Sequence, residues 1–451
     1  MRNQHSPGES ITEALAARAV GHGLGEIAPD SVEVAKQCLM DWLGVTFAAR
    51  GDPLVEKIGQ VTAENGGNRS CTVIGRQFRD SEEHAVLLNG AMGHALDYDD
   101  VITTMGHPTV PIAPVVFAVG EKHDIAGRDV LTAFIAGMDA EVRVARLLGQ
   151  SHYARGWHST GTFGTFGAAA VAGRMIGLDV NQMTMAFGIA GTQAAGLKAV
   201  FGTMCKPLHA GKAAANGLMA ARLAAAGFTS HPDILATAQG FGATQSDRLD
   251  TEAALSDPPR GQWVREVLFK YHAACYLTHS AINAATALRL CHNLSPDAID
   301  RIEVGVEEGH LNVCAIPSPT TGLECKFSLR TTTALALLGE NTADEGLYSD
   351  ETAARPDVVA LRDRVAITPR KGESPTLSDV TVHLTDGRSL RERSDCAVPA
   401  ANAQAQWEPL TAKFRALVEP SLGVARTEEA IGLCRTLDEA SSVRPLLAVL
   451  A

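Results

Sequence analysis

The stretch GHALDYDDVITTMGHP, residues 93–108, concentrates three aspartates and two histidines in an otherwise alanine-rich chain. Its spacing predicts a helix from His94 to Asp100 that places His94 and Asp97 on one face, with Asp100 continuing that line. The proline at the end of the stretch stops the helix, so His107 is expected in an extended segment beside the helix end. A carboxylate next to an imidazole fixes the tautomer of the ring and raises its basicity, which predicts acid/base chemistry. The alternative is a set of aspartates that cap a helix or face solvent.

The stretch ARGWHSTGTFGTFG places His158 just before a helix that Ser159 or Thr160 would cap. Its glycines recur every third residue, but no strand precedes them, so they do not form a dinucleotide-binding fingerprint and predict close helix packing instead. For His158, a helix N-terminus that faces a cavity is a natural anion site.

The stretch FGTMCKPLHAGKAAANG predicts a helix with Pro207 at its first position and Lys206 at its N-terminus, followed by His209. A lysine at a helix N-terminus opposes the helix dipole, so either an anion neutralises it or the lysine is solvated at the surface.

The stretch FKYHAACYLTHS brings together Lys270, Cys275 and His279, with the last two one helical turn apart. The paired ligands of a zinc site are missing, so no metal is predicted. Cys275 is open to two interpretations, a nucleophile paired with histidine or a buried small hydrophobic residue.

Charge and composition exclude several classes of function. The 451 residues carry 39 basic and 51 acidic side chains, a net charge of −12, which repels nucleic acid and anionic lipid. The uncharged stretch 101–120 contains Pro108, Pro111 and Pro114, which are expected to break it as a helix, so no membrane segment is predicted. Nine cysteines without a C-x-x-C pair, and a start without the apolar core of a signal peptide, indicate a cytoplasmic protein.

Hydrophobic periodicity predicts a mainly α protein in three segments. Residues 1–265 form a helical domain, residues 266–399 an α+β domain, and residues 400–451 a return to helix. The strands of the middle segment include a hairpin, SDVTVHLTDGRSLRERS, with Asp386 and Gly387 at its turn.

The chain resembles the 2-methylcitrate dehydratase family (MmgE/PrpD). The resemblance rests on LNGAMGHALDYDD, GHPTVPIAPVVFAVGE, GWHSTGTFGTFGAAAVAG, FGTMCKPLHAGKAAANG and FKYHAACYLTHSAI, in the family's order and spacing across nearly the whole chain. It implies a large all-helical domain built from both chain ends, a smaller inserted α+β lid domain, a homodimer, and a pocket between the domains.

The resemblance also implies cofactor-independent chemistry on a small di- or tricarboxylate. The matched catalytic positions are Asp97, His107, His158, Lys206 and Lys270. We interpret His107 as the residue that moves the proton and Asp97 as the residue that orients it. The substrate-binding residues that we add are Tyr153, His209, Cys275 and His279.

Within the family, dehydration of a 2-methylcitrate-like hydroxy acid is the first expectation. The alternatives are an epimerase of the iminodisuccinate type and then a cis-aconitate-type decarboxylase. Thr331 stands where the decarboxylases have a tyrosine and Cys275 where they tend to have histidine, and both departures lower the decarboxylase interpretation. A non-catalytic carboxylate-binding protein is the alternative from a different class, and a matched acid and base count against it.

Overall fold

The computed structural model describes residues 10–21, 23–372, 374, 376–397 and 402–451. These residues contain nineteen α-helices and six strands, so the prediction of a mainly α protein is confirmed. They group into two compact units. The first unit contains the described residues up to Ala95, Asp99–Val267 and those from Asn402 onwards, and the second contains Leu96–Tyr98 and those from Leu268 to Ala397.

The first unit is built almost entirely of helices. Before the second unit, these are α1 Ile11–Val20, α2 Pro29–Ala48, α3 Pro53–Asn65, α4 Glu82–Ala95, α5 Thr109–His123, α6 Gly127–Ala154, α7 Ser159–Met175, α8 Val180–Gln193, α9 Cys205–Ala225, α10 Phe241–Gln245 and α11 Thr251–Leu255. Two short antiparallel strands, β1 Cys71–Thr72 and β2 Arg79–Asp80, lie between α3 and α4.

The second unit combines helices with one sheet. Its helices are α12 His279–His292, α13 Gly322–Lys326, α14 Leu329–Leu338, α15 Asp350–Ala354 and α16 Pro356–Arg362. Its strands are β3 Ile299–Glu307, β4 Val365–Arg370, β5 Leu377–Leu384 and β6 Ser389–Asp395, in the order β4-β3-β5-β6. Strands β3 and β4 are parallel and the other pairs antiparallel. The predicted hairpin, formed by β5 and β6, is confirmed.

The chain then returns to the first unit through α17 Trp407–Leu422, α18 Val424–Arg435 and α19 Arg444–Val449. Helix α17 packs on α2, where the Phe414 ring lies against Gly44 and leaves no room for a side chain. Beside this contact Lys413 forms a buried ion pair with Asp41, at 2.7 Å.

Small residues let α7 lie at the centre of the first unit, against α9, α6 and α5. A Cβ atom at Gly164 would meet Pro111 at 2.5 Å, and one at Gly167 would meet Glu141 at 2.6 Å. The interpretation of these glycines as a packing face is therefore confirmed.

The expectation that prolines prevent a helix in residues 101–120 is wrong for most of that stretch. Helix α5 begins at Thr109 and continues through Pro111 and Pro114. Pro111 lies in the first turn, where a missing N–H costs little, and tertiary packing outweighs the cost of Pro114. No helix among the described residues is long and apolar enough to cross a membrane.

Candidate active site

A carboxylate that contacts two imidazoles lies at the centre of the candidate site. Both oxygens of Asp99 lie 3.0 Å from His94 Nδ1, and one of them lies 3.0 Å from His107 Nδ1. The two rings meet edge to face, with their centres 4.4 Å apart. Asp99 therefore links His94 and His107 into one acid/base unit.

The predicted helix from His94 to Asp100 is wrong, and this changes which aspartate meets the histidines. Helix α4 ends at Ala95, and Asp97 has a left-handed backbone conformation with φ 52°. Because the chain turns there instead of continuing as a helix, His94 and Asp97 do not share a helix face. The carboxylate that contacts both His94 and His107 is that of Asp99.

The loop before α5 positions His107. Ile102 and Gly106 pair as a short antiparallel bridge, and Gly106 has φ +103°, which a residue with a side chain rarely adopts. The next residue, His107, donates its backbone N–H to Thr160 Oγ1 at 3.2 Å. The His107 side chain keeps 13 % of its surface exposed, whereas that of His94 is fully buried. His107 is thus the member of this pair that solvent or a ligand can reach.

The two histidines that contact Asp99 favour the ionised form of its carboxyl group. Burial alone would disfavour ionisation of Asp99, but the charges and hydrogen bonds of His107 and His94 hold its pKa well below the usual range. Burial lowers the pKa of His94 to about 4, although Asp99 opposes the shift. At neutral pH we therefore assign an ionised Asp99 beside a neutral His94.

A second pair of imidazoles lies beside His94. The His158 ring stacks on that of His94, with centres 5.8 Å apart, and His158 Nδ1 lies 2.9 Å from His209 Nδ1. Gly196 borders this pair, and a Cβ atom there would meet His209 Nδ1 at 3.2 Å. We call His94, His107, His158 and His209, together with Asp99, the imidazole cluster.

His158 directly precedes α7 and has extended backbone angles, so it is the N-cap residue of that helix. The prediction of Ser159 or Thr160 as the cap is wrong, because both residues are already helical. The His158 side chain makes no capping bond, which leaves it to contact His209.

Lys206 supplies positive charge to this cluster. Helix α9 begins at Cys205, two residues before the Pro207 start that the sequence predicts, so Lys206 lies inside its first turn. Lys206 is buried, so the alternative of a lysine solvated at the surface is wrong, and its Nζ lies 5.4 Å from the centre of the Phe201 ring. Burial first, and then the neighbouring His94 and Lys206, lower the pKa of His158 well below its usual value. Burial and Lys206 also lower the pKa of His209. Lys206 thus lies at a helix N-terminus, where an anion is favoured, beside His158 and His209, whose pKa values are lowered.

The second unit also holds buried charges. Lys270 Nζ lies 3.2 Å from Asp97 Oδ1 and donates to the Asp97 backbone oxygen at 2.5 Å. Lys326 donates to the Leu96 backbone oxygen at 3.0 Å and forms an ion pair with Glu345 at 3.2 Å. Two lysines therefore hold the short segment Leu96–Tyr98. Lys326 belongs to none of the sequence motifs described above, so sequence reasoning missed it.

Cys275 and His279 are both buried in the second unit. A hydrogen bond from Cys314 lowers the pKa of the Cys275 thiol. His279 begins α12, and its Nε2 lies 3.2 Å from the Ala274 backbone oxygen. Tyr153, in the first unit, lies near the end of α6, and its ring is 3.6 Å from Lys198 Nζ.

Comparison with known proteins defines the class to which this fold and site belong. The model of the MmgE/PrpD N-terminal domain matches residues 13–253, and that of the MmgE/PrpD C-terminal domain matches residues 272–439. The two matches cover most of the chain, which belongs to the MmgE/PrpD family and is an enzyme of that family.

Several cis-aconitate decarboxylases are similar to it over almost their whole length. The mouse enzyme is 28 % identical, with 96 % of this chain and 91 % of its own covered. The human enzyme is 26 % identical, with 96 % and 92 % covered. That of Aspergillus terreus is 25 % identical, with 98 % and 96 % covered. These relatives support the decarboxylase alternative better than the dehydratase that was the first expectation.

Proposed function

We propose that this enzyme decarboxylates cis-aconitate or a closely related unsaturated tricarboxylate without a cofactor. The observation that carries the proposal is the contact of Asp99 with both His94 and His107, in a cluster that also holds Lys206. The cis-aconitate decarboxylases that match nearly the whole chain support the choice of substrate.

Decarboxylation of such a substrate needs one proton and a place for negative charge. The bond from the methylene carbon to its carboxylate breaks, and its electron pair forms a new double bond as CO₂ leaves. The electrons of the old double bond move to the carbon beside a second carboxylate, and that carbon takes a proton. One trianion and one proton thus give a dianion and CO₂.

The imidazole cluster offers a group for each of these needs. We assign His107 as the acid that protonates the carbon, because its ring is the accessible one of the Asp99-linked pair. Asp99 stabilises the protonated form of His107 and orients the ring. Lys206 stabilises the charge that develops on the carboxylate next to the carbanion. His158 and His209 are proposed to bind substrate carboxylates.

The roles of the buried groups in the second unit are also proposals. We assign Asp97 and Lys270 to the catalytic machinery and Cys275 and His279 to substrate binding, and Tyr153 of the first unit likewise to binding. Support comes from the family motifs and from the burial of the Asp97–Lys270 ion pair, since buried charges are retained where they are paired and used.

Epimerisation is the second candidate function. Thr331 and Cys275 replace the tyrosine and histidine expected of a decarboxylase. Thr331 is fully buried in α14, and its Oγ1 has no hydrogen-bond partner among the described residues. An epimerase would return a proton to the opposite face of the same carbon without loss of CO₂.

A proton NMR time course in deuterated buffer tests the proposal, with cis-aconitate, 2-methylcitrate, citrate and iminodisuccinate as separate substrates. We expect cis-aconitate to give a new pair of methylene alkene signals. Loss of water from 2-methylcitrate would support a dehydratase instead, and exchange of deuterium without conversion an epimerase. No turnover, together with thermal stabilisation by a ligand, would indicate a carboxylate-binding protein.

On the family resemblance we further propose a homodimer in which residues 266–399 act as a lid domain. The nine cysteines without a C-x-x-C pair support the further proposal of a cytoplasmic location. Sedimentation equilibrium of the full chain tests the dimer, and a single monomeric species would contradict it.

A further inference from the structure

The centre of the imidazole cluster has the composition of a metal site. The ligand atoms of His94, Asp99 and His107 all lie within 4.8 Å of one another. Two of these separations, from Asp99 to each imidazole Nδ1, are 3.0 Å. His94 and Asp99 are buried and His107 is half-buried, so the three atoms converge out of bulk water.

These separations match the size of a zinc coordination shell. Zinc bonds to histidine nitrogen and carboxylate oxygen are about 2.0–2.2 Å long, so neighbouring ligands of a tetrahedral ion lie about 3.3 Å apart. The contacts of Asp99 therefore need to open by only a few tenths of an ångström. Two histidines and one carboxylate are a ligand set of zinc sites that leave the fourth position open.

The charges around the three ligands have opposite effects on the binding of a metal ion. The Lys206 charge acts on this cluster and weakens the binding of any cation. The negative charge of Asp99 and the two imidazoles favour a borderline divalent ion such as Zn²⁺ over Mg²⁺ or Ca²⁺, which prefer oxygen ligands.

We propose that His94, Asp99 and His107 bind a divalent transition-metal ion, with Zn²⁺ as the natural ligand, and that the bound ion blocks proton transfer. The block rests on the proposed function, because the ion occupies the lone pairs and the carboxylate that acid/base catalysis uses. The binding of the ion does not rest on that function. The enzyme therefore works without the ion and is inhibited by it.

Binding of Co²⁺ to the purified, metal-stripped full chain tests the site independently of activity. Tetrahedral Co²⁺ with nitrogen and oxygen ligands gives strong visible absorption, which Zn²⁺ should abolish by competition. We expect one Co²⁺ per chain with this absorption. Folded wild-type protein that binds no Co²⁺, or gives only the weak absorption of an octahedral ion, would overturn the proposal without any variant.

Variants locate the site. We expect Asp99→Asn and His94→Ala each to weaken Co²⁺ binding by at least about 100-fold. Even substitution of residues that only hydrogen-bond to metal ligands lowers metal affinity by about 10–100-fold. The matched control is His84→Ala, which removes a histidine that also contacts an aspartate, Asp80, at 3.2 Å. Unchanged binding in both cluster variants, or equal loss in the control, would contradict the assignment.

The activity measurement separates this proposal from the proposed function. Zn²⁺ should inhibit turnover of cis-aconitate, and a chelator should restore it fully. Loss of activity on chelation would show that the ion is required and would contradict an inhibitory site. If cis-aconitate is not a substrate, the Co²⁺ result still decides the binding site.

Discussion

The carboxylate of Asp99 lies 3.0 Å from Nδ1 of His107, and its two oxygens also contact His94. Asp99 is fully buried among these rings, so its negative charge has no solvent to stabilise it and depends on them. The protonation of His107 should therefore depend strongly on the charge of this one carboxylate.

Asp99→Asn should lower kcat by about 10²- to 10⁴-fold, the range that general acid/base groups contribute. The amide preserves the shape of the side chain but removes the charge that stabilises protonated His107. Steady-state kinetics with circular dichroism of each variant provide the measurement. Asp80→Asn is the control, since it removes the carboxylate of the His84–Asp80 contact. A variant at Asp99 that is folded and fully active would refute the assignment.

The buried ion pair of Asp97 and Lys270 predicts a non-additive loss of stability. Asp97→Asn or Lys270→Met alone should lower the free energy of unfolding by about 3–5 kcal/mol, because each leaves an uncompensated buried charge. The double variant should lose less than the sum of the two. Urea unfolding gives these free energies.

Glu428→Gln is the matched control for that cycle. It breaks the exposed ion pair with Arg415 and should leave the free energy of unfolding nearly unchanged, because solvent screens exposed charges. Additive losses at Asp97 and Lys270 would show that the two side chains do not act as a pair.

The buried carboxyl group of Asp100 should make the free energy of unfolding depend on pH. Burial raises its pKa to about 7, although Thr109 donates two hydrogen bonds to its oxygens. The unfolded state releases the Asp100 proton near pH 4, whereas the folded state keeps it until about pH 7. The contribution of this group to stability is therefore fully present below about pH 4 and is lost as the pH rises through about 7. Asp100→Asn should thus become more stable than the wild type between pH 4 and pH 7, by at most about 4 kcal/mol.

Thermal unfolding of the wild type and Asp100→Asn across this pH range measures the difference. Asp386→Asn is the control, since its exposed carboxyl has a pKa below the ordinary value because of Arg388. A difference between wild type and Asp100→Asn that stays constant from pH 4 to pH 8 would contradict the raised pKa.

Removal of the Lys206 charge should change the pKa values of the histidines near it. The Lys206 charge adds to burial in lowering the pKa of His94, His158 and His209. Lys206→Met should therefore raise these pKa values, which NMR titration of the ring protons reports. Lys212→Met, an exposed lysine of the same helix, should leave them unchanged. Equal effects of the two substitutions would show that Lys206 does not act on the cluster directly.

Local sequence signals predicted much of this architecture. The apolar period of the helices, the Asp386–Gly387 hairpin turn and the glycine face of α7 all follow from interactions between near neighbours in sequence. The placement of Lys206 near the N-terminus of α9 follows from a signal of the same kind, although the helix begins two residues before Pro207.

The pairing of carboxylate and imidazole could not be predicted in this way. In the run DYDD, a helix and a turn at Asp97 present different aspartates to His107, and the sequence contains no strong stop signal to decide between them. Contacts of Asp97 with Lys270, 173 residues away, accompany the turn. The prediction that prolines would break the helix in α5 was wrong for a similar reason, because tertiary packing outweighs local helix propensity.

The fate of cis-aconitate incubated with the wild-type enzyme in deuterated buffer, followed by carbon and proton NMR, decides whether the enzyme is a decarboxylase. We expect one CO₂ for each product molecule and one deuterium on the carbon that lies beside the second carboxylate. His107→Gln should give neither, while His84→Gln should give both. Recovery of unchanged cis-aconitate, with water lost from 2-methylcitrate in the parallel sample, would show that the enzyme is a dehydratase instead.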